Sequence, residues 1–247
     1  MSNAPADVVK DLAPTGTLRV AINLGNMVLA QTDPATGAPA GVTAELAREL
    51  GKRLGVPVEL KTFDGAGKVF EAVKGGGIDI MFLAIEPVRA AEIAFTAPYV
   101  IIEGVYMVPK DSALNTVADV DHAGVRIGVN KGSAYDLFLT RSLKAATLVR
   151  GESGVELFKA EKLEAAAGVK QPIVAYAKTD AGVRVIDGRF MEIRQAMGTP
   201  RARLAGREAA PRYLAAFVEE MKRNGFVADA LKRSGQEEAT VAGAEPA

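Results

Sequence analysis

The chain has no cysteine, one histidine and no surplus of either charge. Without cysteine there is no disulfide, no thiolate metal site and no cysteine nucleophile. The lone His122 builds neither a histidine-based metal site nor a Ser-His-Asp triad. It lies in an acidic loop with Asp119 and Asp121, where a surface place is expected. Lys plus Arg and Asp plus Glu both total 30, for a formal net charge of zero. That balance argues against nucleic acid and against a polybasic membrane-facing surface. No run approaches ~18 consecutive apolar residues, so no membrane span is expected. No signal peptide is visible. The opening Met1-Ser2-Asn3-Ala4 reads as a remnant fused to a mature start whose export signal has been removed.

What is present is a regular alternation of patterns. Apolar residues make up 49% of the 247, enough for a substantial core. Leu18 to Ile22 reads as a buried strand running into a Gly-rich turn. Asp33-Pro34-Ala35-Thr36-Gly37 is turn chemistry for a hairpin or loop tip. Leu46, Leu50 and Leu54 recur every fourth residue, which predicts a helix from Val42 to Leu54 with Gly55 as its C-cap. Val56 to Thr62 is a strand, Ala66 to Lys74 a helix, and Ile78 to Ala84 a strand apolar enough to be covered on both faces. Strand, helix, strand, helix, strand is the order of an α/β unit with a parallel sheet. Because Gly75-Gly76-Gly77 precedes a strand rather than a helix, it is not a phosphate loop.

Val100 to Val108 is a long apolar segment leading out of this unit, and a second unit begins near Lys110. In it Val117 to Val120 starts a helix, Arg126 to Val129 is a strand, Gly132-Ser133 a turn and Ala134 to Leu143 a helix. A strand from Thr147 to Val149, helices from Val155 to Leu163 and Gln171 to Lys178, and a strand from Arg184 to Ile186 follow. Phe190 to Met197 crosses back, residues 207–233 form one or two helices, and the tail from Gly235 is expected to be disordered.

Several short runs, in order, resemble one family. Leu18-Arg19-Val20-Ala21, Gly41-Val42-Thr43-Ala44-Glu45-Leu46-Ala47 and Leu54-Gly55-Val56-Pro57-Val58 resemble the opening of the bacterial extracellular solute-binding proteins of family 3, the amino-acid type. Gly76-Gly77-Ile78-Asp79-Ile80, Pro87-Val88-Arg89 and Phe95-Thr96-Ala97-Pro98-Tyr99 look like its next run, and Gly128-Val129-Asn130-Lys131-Gly132-Ser133 like its second-lobe loop. The resemblance covers residues 16–233. It implies an α/β protein of two Rossmann-like lobes joined by two crossing hinge strands, the periplasmic binding protein type II fold. Lobe one would be 15–103 plus 198–235, lobe two 104–197, and residues 1–14 and 236–247 flexible termini. It further implies a periplasmic binding protein for a small-molecule ligand, partnered by an ABC transporter permease, and not an enzyme. A monomer with no cofactor and no metal is expected.

The resemblance also places a ligand site. Arg89 matches the carboxylate-binding arginine, and a planar guanidinium grips a carboxylate through two parallel hydrogen bonds. Ser133, in the Gly132-Ser133-Ala134-Tyr135 turn, matches a residue whose hydroxyl and backbone N–H meet the same carboxylate; a plain helix cap is the alternative. Other positions depart from the family. Ala84 and Glu86 stand where hydroxyl residues are usual, with Ile85 between them as a further candidate, Asn26 and Ala66 where aromatic rings clamp the ligand, and Gly168 or Val169 where an Asp holds an ammonium. Asn23 and Asn26 follow the first strand, at the carboxyl edge where α/β proteins bind ligands. Lys131 and Tyr135 flank the turn, with solvent exposure the expected state. The incomplete amino-acid set points to an organic acid or a modified amino compound. A few relatives on this fold are dehydratases of cyclohexadienyl acids, and Glu86 beside Arg89 could supply a general acid for such chemistry.

Overall fold

The computed structural model describes residues 4–204 and 206–244. The remnant reading of Met1-Ser2-Asn3 lies outside them. The chain divides into two compact units, with the boundaries between Ile101 and Ile102 and between Ile193 and Arg194. The expected boundaries lay two and four residues further along.

The first unit opens with α1 (Ala6–Leu12), β1 (Leu18–Asn23), the hairpin β2 (Gln31–Thr32) and β3 (Pro39–Ala40), then α2 (Val42–Leu54) and β4 (Val58–Phe63). It continues through α3 (Ala66–Lys74), β5 (Ile80–Ala84) and the single turn α4 (Pro87–Ala90) into β6 (Ile93–Pro109). β1 pairs in parallel with β4 on one side and β5 on the other. Helix α2 forms as its leucine spacing requires: Leu46, Leu50 and Leu54 are buried, and Gly55 ends it in the left-handed region at φ 70°. Each such leucine contributes about 1.5–3 kcal/mol by leaving water. Helix α3 packs Val69 and Val73 onto Ala21, Met81 and Leu83 of the sheet.

β6 carries the chain across the first boundary. The second unit holds β7 (Arg126–Asn130), α5 (Ala134–Ser142), β8 (Thr147–Gly151), α6 (Gly154–Ala160), β9 (Ala165–Val169), α7 (Lys170–Thr179) and β10 (Val183–Val185). β7 pairs in parallel with β8 and β9. β6 pairs antiparallel with β9 and β10. Phe158, Leu163 and Ile173 cover Val105, Met107 and Ala166 in its core. The sequence pattern predicts no element between Leu163 and Gln171, yet Ala165–Val169 is a strand. Alanine and glycine carry little strand propensity, and burial between β6 and β7 is what makes it one.

β11 (Met191–Pro200) returns the chain to the first unit, where it pairs antiparallel with β5. α8 (Ala209–Arg223), α9 (Phe226–Arg233) and β12 (Thr240–Val241) follow. The expectation of flexible termini is corrected at both ends. Val8 and Leu12 of α1 are buried. β12 pairs with Val100 and Ile101 of β6, and Ala242 N–H donates to Tyr99 O at 3.0 Å. Apolar burial and strand pairing hold segments whose composition alone reads as solvated. Among the described residues no helix is long and apolar enough to cross a membrane.

Candidate functional site

In the first unit the candidate residues sit on two neighbouring strand ends. Asn23 ends β1 and Asn26 lies in the turn after it; Ala84 ends β5, and Ile85, Glu86 and Arg89 follow. Because β1 and β5 are parallel neighbours, both groups lie at the carboxyl edge of one sheet, the edge α/β proteins use for ligands. The Asn23 side-chain oxygen accepts from Gly25 N–H at 3.0 Å and shapes the turn. The Ile85 N–H donates to Arg194 O at 2.9 Å, fixing the β5 loop to β11. Met27, Ile85 and Val88 are large apolar residues left exposed, the first two in these loops and Val88 on the short helix that follows.

Arg89 and Glu86 are only 1% and 2% exposed. Pro87 fits the first helical position, where its fixed φ suits the turn and no N–H is missed. The short helix therefore starts at once and carries Arg89 back beneath the loop, where its guanidinium donates to Ala84 O at 3.2 Å. Burial lowers the Arg89 guanidinium to about 10, with the Glu86 charge acting the other way. At neutral pH it is a cation held largely out of water, the state in which an arginine binds an anion most strongly.

In the second unit the candidates again share one edge. Gly132, Ser133, Ala134 and Tyr135 follow β7, while Gly168 and Val169 end the parallel neighbour β9. Gly132 takes φ +73°, which lets the chain turn into α5. Ser133 is the helix cap: its hydroxyl accepts from Asp136 N–H at 3.0 Å. The Ser133 N–H, expected to meet a carboxylate, donates to Asn130 O at 3.1 Å. Asp136 organises the turn, accepting from Gly132 N–H and Arg150 Nε, each at 2.8 Å. Lys131 is exposed as expected, but Tyr135 is buried, a correction. Burial pushes its hydroxyl up to about 12, offset in part by hydrogen bonds with Ser133 and Asn130. A side chain on Gly168 would meet Ile173 Cγ1 at 2.8 Å, so α7 lies hard against the strand end. Lys170, next in the chain, pairs with Glu103 at 2.7 Å.

Sequence reasoning missed Gln171, whose side-chain Oε1 is buried without a hydrogen-bond partner, as is Oδ1 of Asn26. With β9 unrecognised, nothing marked Gln171 as lying at a strand end. Among the described residues no group of three or more His, Cys, Asp or Glu could hold a metal ion.

Two α/β units, joined by two strand crossings and carrying their polar candidate groups at the carboxyl ends of parallel strands, define a class of ligand-binding protein. The pattern of the bacterial extracellular solute-binding proteins, family 3, matches residues 18–236, and the chain belongs to that family. Three solved structures illustrate the fold. One is a mutant of ArgBP from T. maritima, at 18% identity and TM-score 0.76, covering 93% of this chain and 100% of that one. A solute receptor for L-cysteine of Neisseria gonorrhoeae matches at 22% identity and TM-score 0.76, covering 92% of each chain. An ancestral amino acid-binding protein, AncCDT-1, a precursor of cyclohexadienyl dehydratase, matches at 22% identity and TM-score 0.71, covering 91% of this chain and 97% of that one. These likenesses establish the type II periplasmic-binding fold. A comparison with curated proteins finds no match.

Proposed function

We propose that this protein is the extracytoplasmic, periplasmic solute-binding component of an ABC uptake transporter. It takes a small carboxylate-bearing solute, an organic acid or amino acid derivative, and delivers it to a membrane permease without altering it. The observation that carries this reading is the desolvated Arg89 at the carboxyl end of β5. Family membership supports the binding role, and Val169 at the end of β9 offers an ammonium no charge. The protein works as a monomer without a cofactor.

The test is a thermal-shift screen over amino acids, carboxylates, polyamines and opines. A true solute at 100 times its Kd should stabilise the protein by ~2.7 kcal/mol. Calorimetry on Arg89→Ala should then show loss of about 2–5 kcal/mol of binding with the fold intact. Unchanged affinity would remove Arg89 from the site. Binding strengthened by Glu86→Gln favours an organic acid, because a negative charge beside the anchor is gone. Micromolar binding of glutamine, arginine or glutamate would refute the assigned ligand class.

A second reading rests on Glu86, a buried carboxyl beside a buried guanidinium. Such a group could protonate a ring hydroxyl so that it leaves as water while the ring carboxylate departs as carbon dioxide, its bonding pair completing the aromatic ring, the reaction of a cyclohexadienyl-acid dehydratase. Appearance of aromatic absorbance on incubation with a cyclohexadienyl acid, abolished in Glu86→Gln, would establish it.

A further inference from the structure

Helices α8 and α9 meet at Asn224-Gly225, the sequence's one asparagine followed by glycine. Asn224 is exposed. It ends α8, with its N–H donating to Glu220 O at 2.9 Å. Its side chain folds forward along the next peptide, where Oδ1 accepts from Phe226 N–H at 3.0 Å. Gly225 stands in the left-handed region at φ 84°. Its N–H donates to Lys222 O at 3.4 Å, past the usual length of such a bond. A Cβ on Gly225 would meet nothing within 4 Å, so this face of the peptide is open.

We infer that Asn224 is a modification site, at which the folded chain converts its own amide to an acid. The Gly225 nitrogen, once its proton has passed to hydroxide, bonds to the side-chain carbonyl carbon of Asn224. The bond to the side-chain nitrogen breaks, and that nitrogen takes a proton from water and leaves as ammonia. Water then opens the cyclic imide. Breaking the new bond gives aspartate, and breaking the old peptide bond gives isoaspartate. An amide and one water become an acid and ammonia, with nothing oxidised or reduced. The junction favours each step. Phe226 N–H polarises the carbonyl under attack and is already in place for the charge that builds on its oxygen. The nucleophile has no side chain to crowd its approach. The other asparagines of the described residues precede Leu24, Met27, Thr116 and Lys131, and Asn130 spends its Oδ1 on Gly154 N–H. The product matters to α9. Aspartate can still accept from Phe226 N–H. Isoaspartate lengthens the backbone by a methylene and loses that contact, which loosens the start of a helix held by Val227, Ala230 and Leu231.

The experiment incubates the whole protein in mildly alkaline buffer, native or unfolded in guanidinium chloride. Fragment masses then report conversion at each asparagine, and ammonia release is measured alongside. Native conversion at Asn224 should be at least roughly tenfold faster than at any other asparagine. It should be no slower than at the same position in the unfolded chain. Asn224→Gln, whose longer side chain closes a less favoured ring, should lose it. The separated isoaspartyl form should melt roughly 2–4 °C below the unmodified protein, the effect of one lost cap. Slower conversion in the native protein than in the unfolded chain would show that the junction protects Asn224 and would overturn the inference. Faster native conversion at another asparagine overturns it as well. An isoaspartyl form that melts with the unmodified protein overturns the assigned effect on α9.

Discussion

Asp79 has no exposed side-chain surface, yet it stays a carboxylate. Burial works to raise its pKa, but hydrogen bonds from Arg19 and Arg203 outweigh burial and hold the carboxyl below its usual range. Arg19 meets it through Nε at 2.9 Å and Nη2 at 2.7 Å, and Arg203 joins from the segment after β11. A depressed carboxylate contributes stability that is present above its unfolded pKa of about 3.9 and is lost as pH falls through the folded value. Asp79→Asn should therefore lower stability at neutral pH by about 3–5 kcal/mol, leaving two arginines around a neutral amide. Urea titrations of the two proteins should begin to approach each other below about pH 4 and converge only below the depressed native pKa, where the folded carboxyl also takes up its proton. Curves that stay equally far apart at acid pH would show that shape rather than charge holds this junction. Arg89 is the opposite case. Burial lowers its pKa and the Glu86 charge only partly offsets that.

At the scale of elements, the second unit depends on a backbone contact that two glycines permit. A Cβ on Gly128 of β7 would meet Gly154 O at 2.3 Å, and one on Gly154 would meet Gly128 O at 2.6 Å. The start of α6 thus lies directly on β7, and Asn130 holds it there by accepting from Gly154 N–H at 2.8 Å. Both partners are backbone, so neither can rotate aside. Gly128→Ala should destabilise by about 1–3 kcal/mol through overpacking, measured as a lower denaturation midpoint. A neutral result would mean that α6 can lift off the strand without loss. The Ser133 turn is built in the same spirit. Its hydroxyl caps α5 and its N–H closes the turn, so Ser133 is held in a fixed position.

For the whole chain, the C-terminal segment is part of the first unit. Lys222 in α8 has a side chain 1% exposed. Its Nζ donates to Pro98 O at 3.2 Å and to Gly243 O at 3.0 Å and pairs with Glu219 at 2.5 Å. One lysine therefore ties the tail to β6 just before the boundary at Ile101. Removing residues from 240 onward strips β6 of the β12 ladder and takes one acceptor from a buried cation. The loss should be roughly 2 kcal/mol in a denaturation titration. An unchanged midpoint would return the tail to the disordered class its composition suggests.

Much of this architecture was legible in the sequence, because it follows from periodicity. The leucines of α2, the apolar run of β5, the left-handed Gly55 and the two crossing segments each announce themselves within a few residues. The site was legible in one respect: short runs around Arg89 and Ser133 resemble a known family closely enough to mark positions. What the sequence could not carry was anything decided by neighbours distant in the chain. Ala165 to Gly168 becomes a strand only because β6 and β7 flank it. The tail is ordered only because Lys222 and Tyr99 receive it. The unmade oxygens of Asn26 and Gln171 exist only once packing has closed around them. Local pattern fixes which elements form, since it acts within a turn of helix or a pair of strand residues. Burial and hydrogen-bond completion are properties of the packed chain, and only tertiary structure decides them.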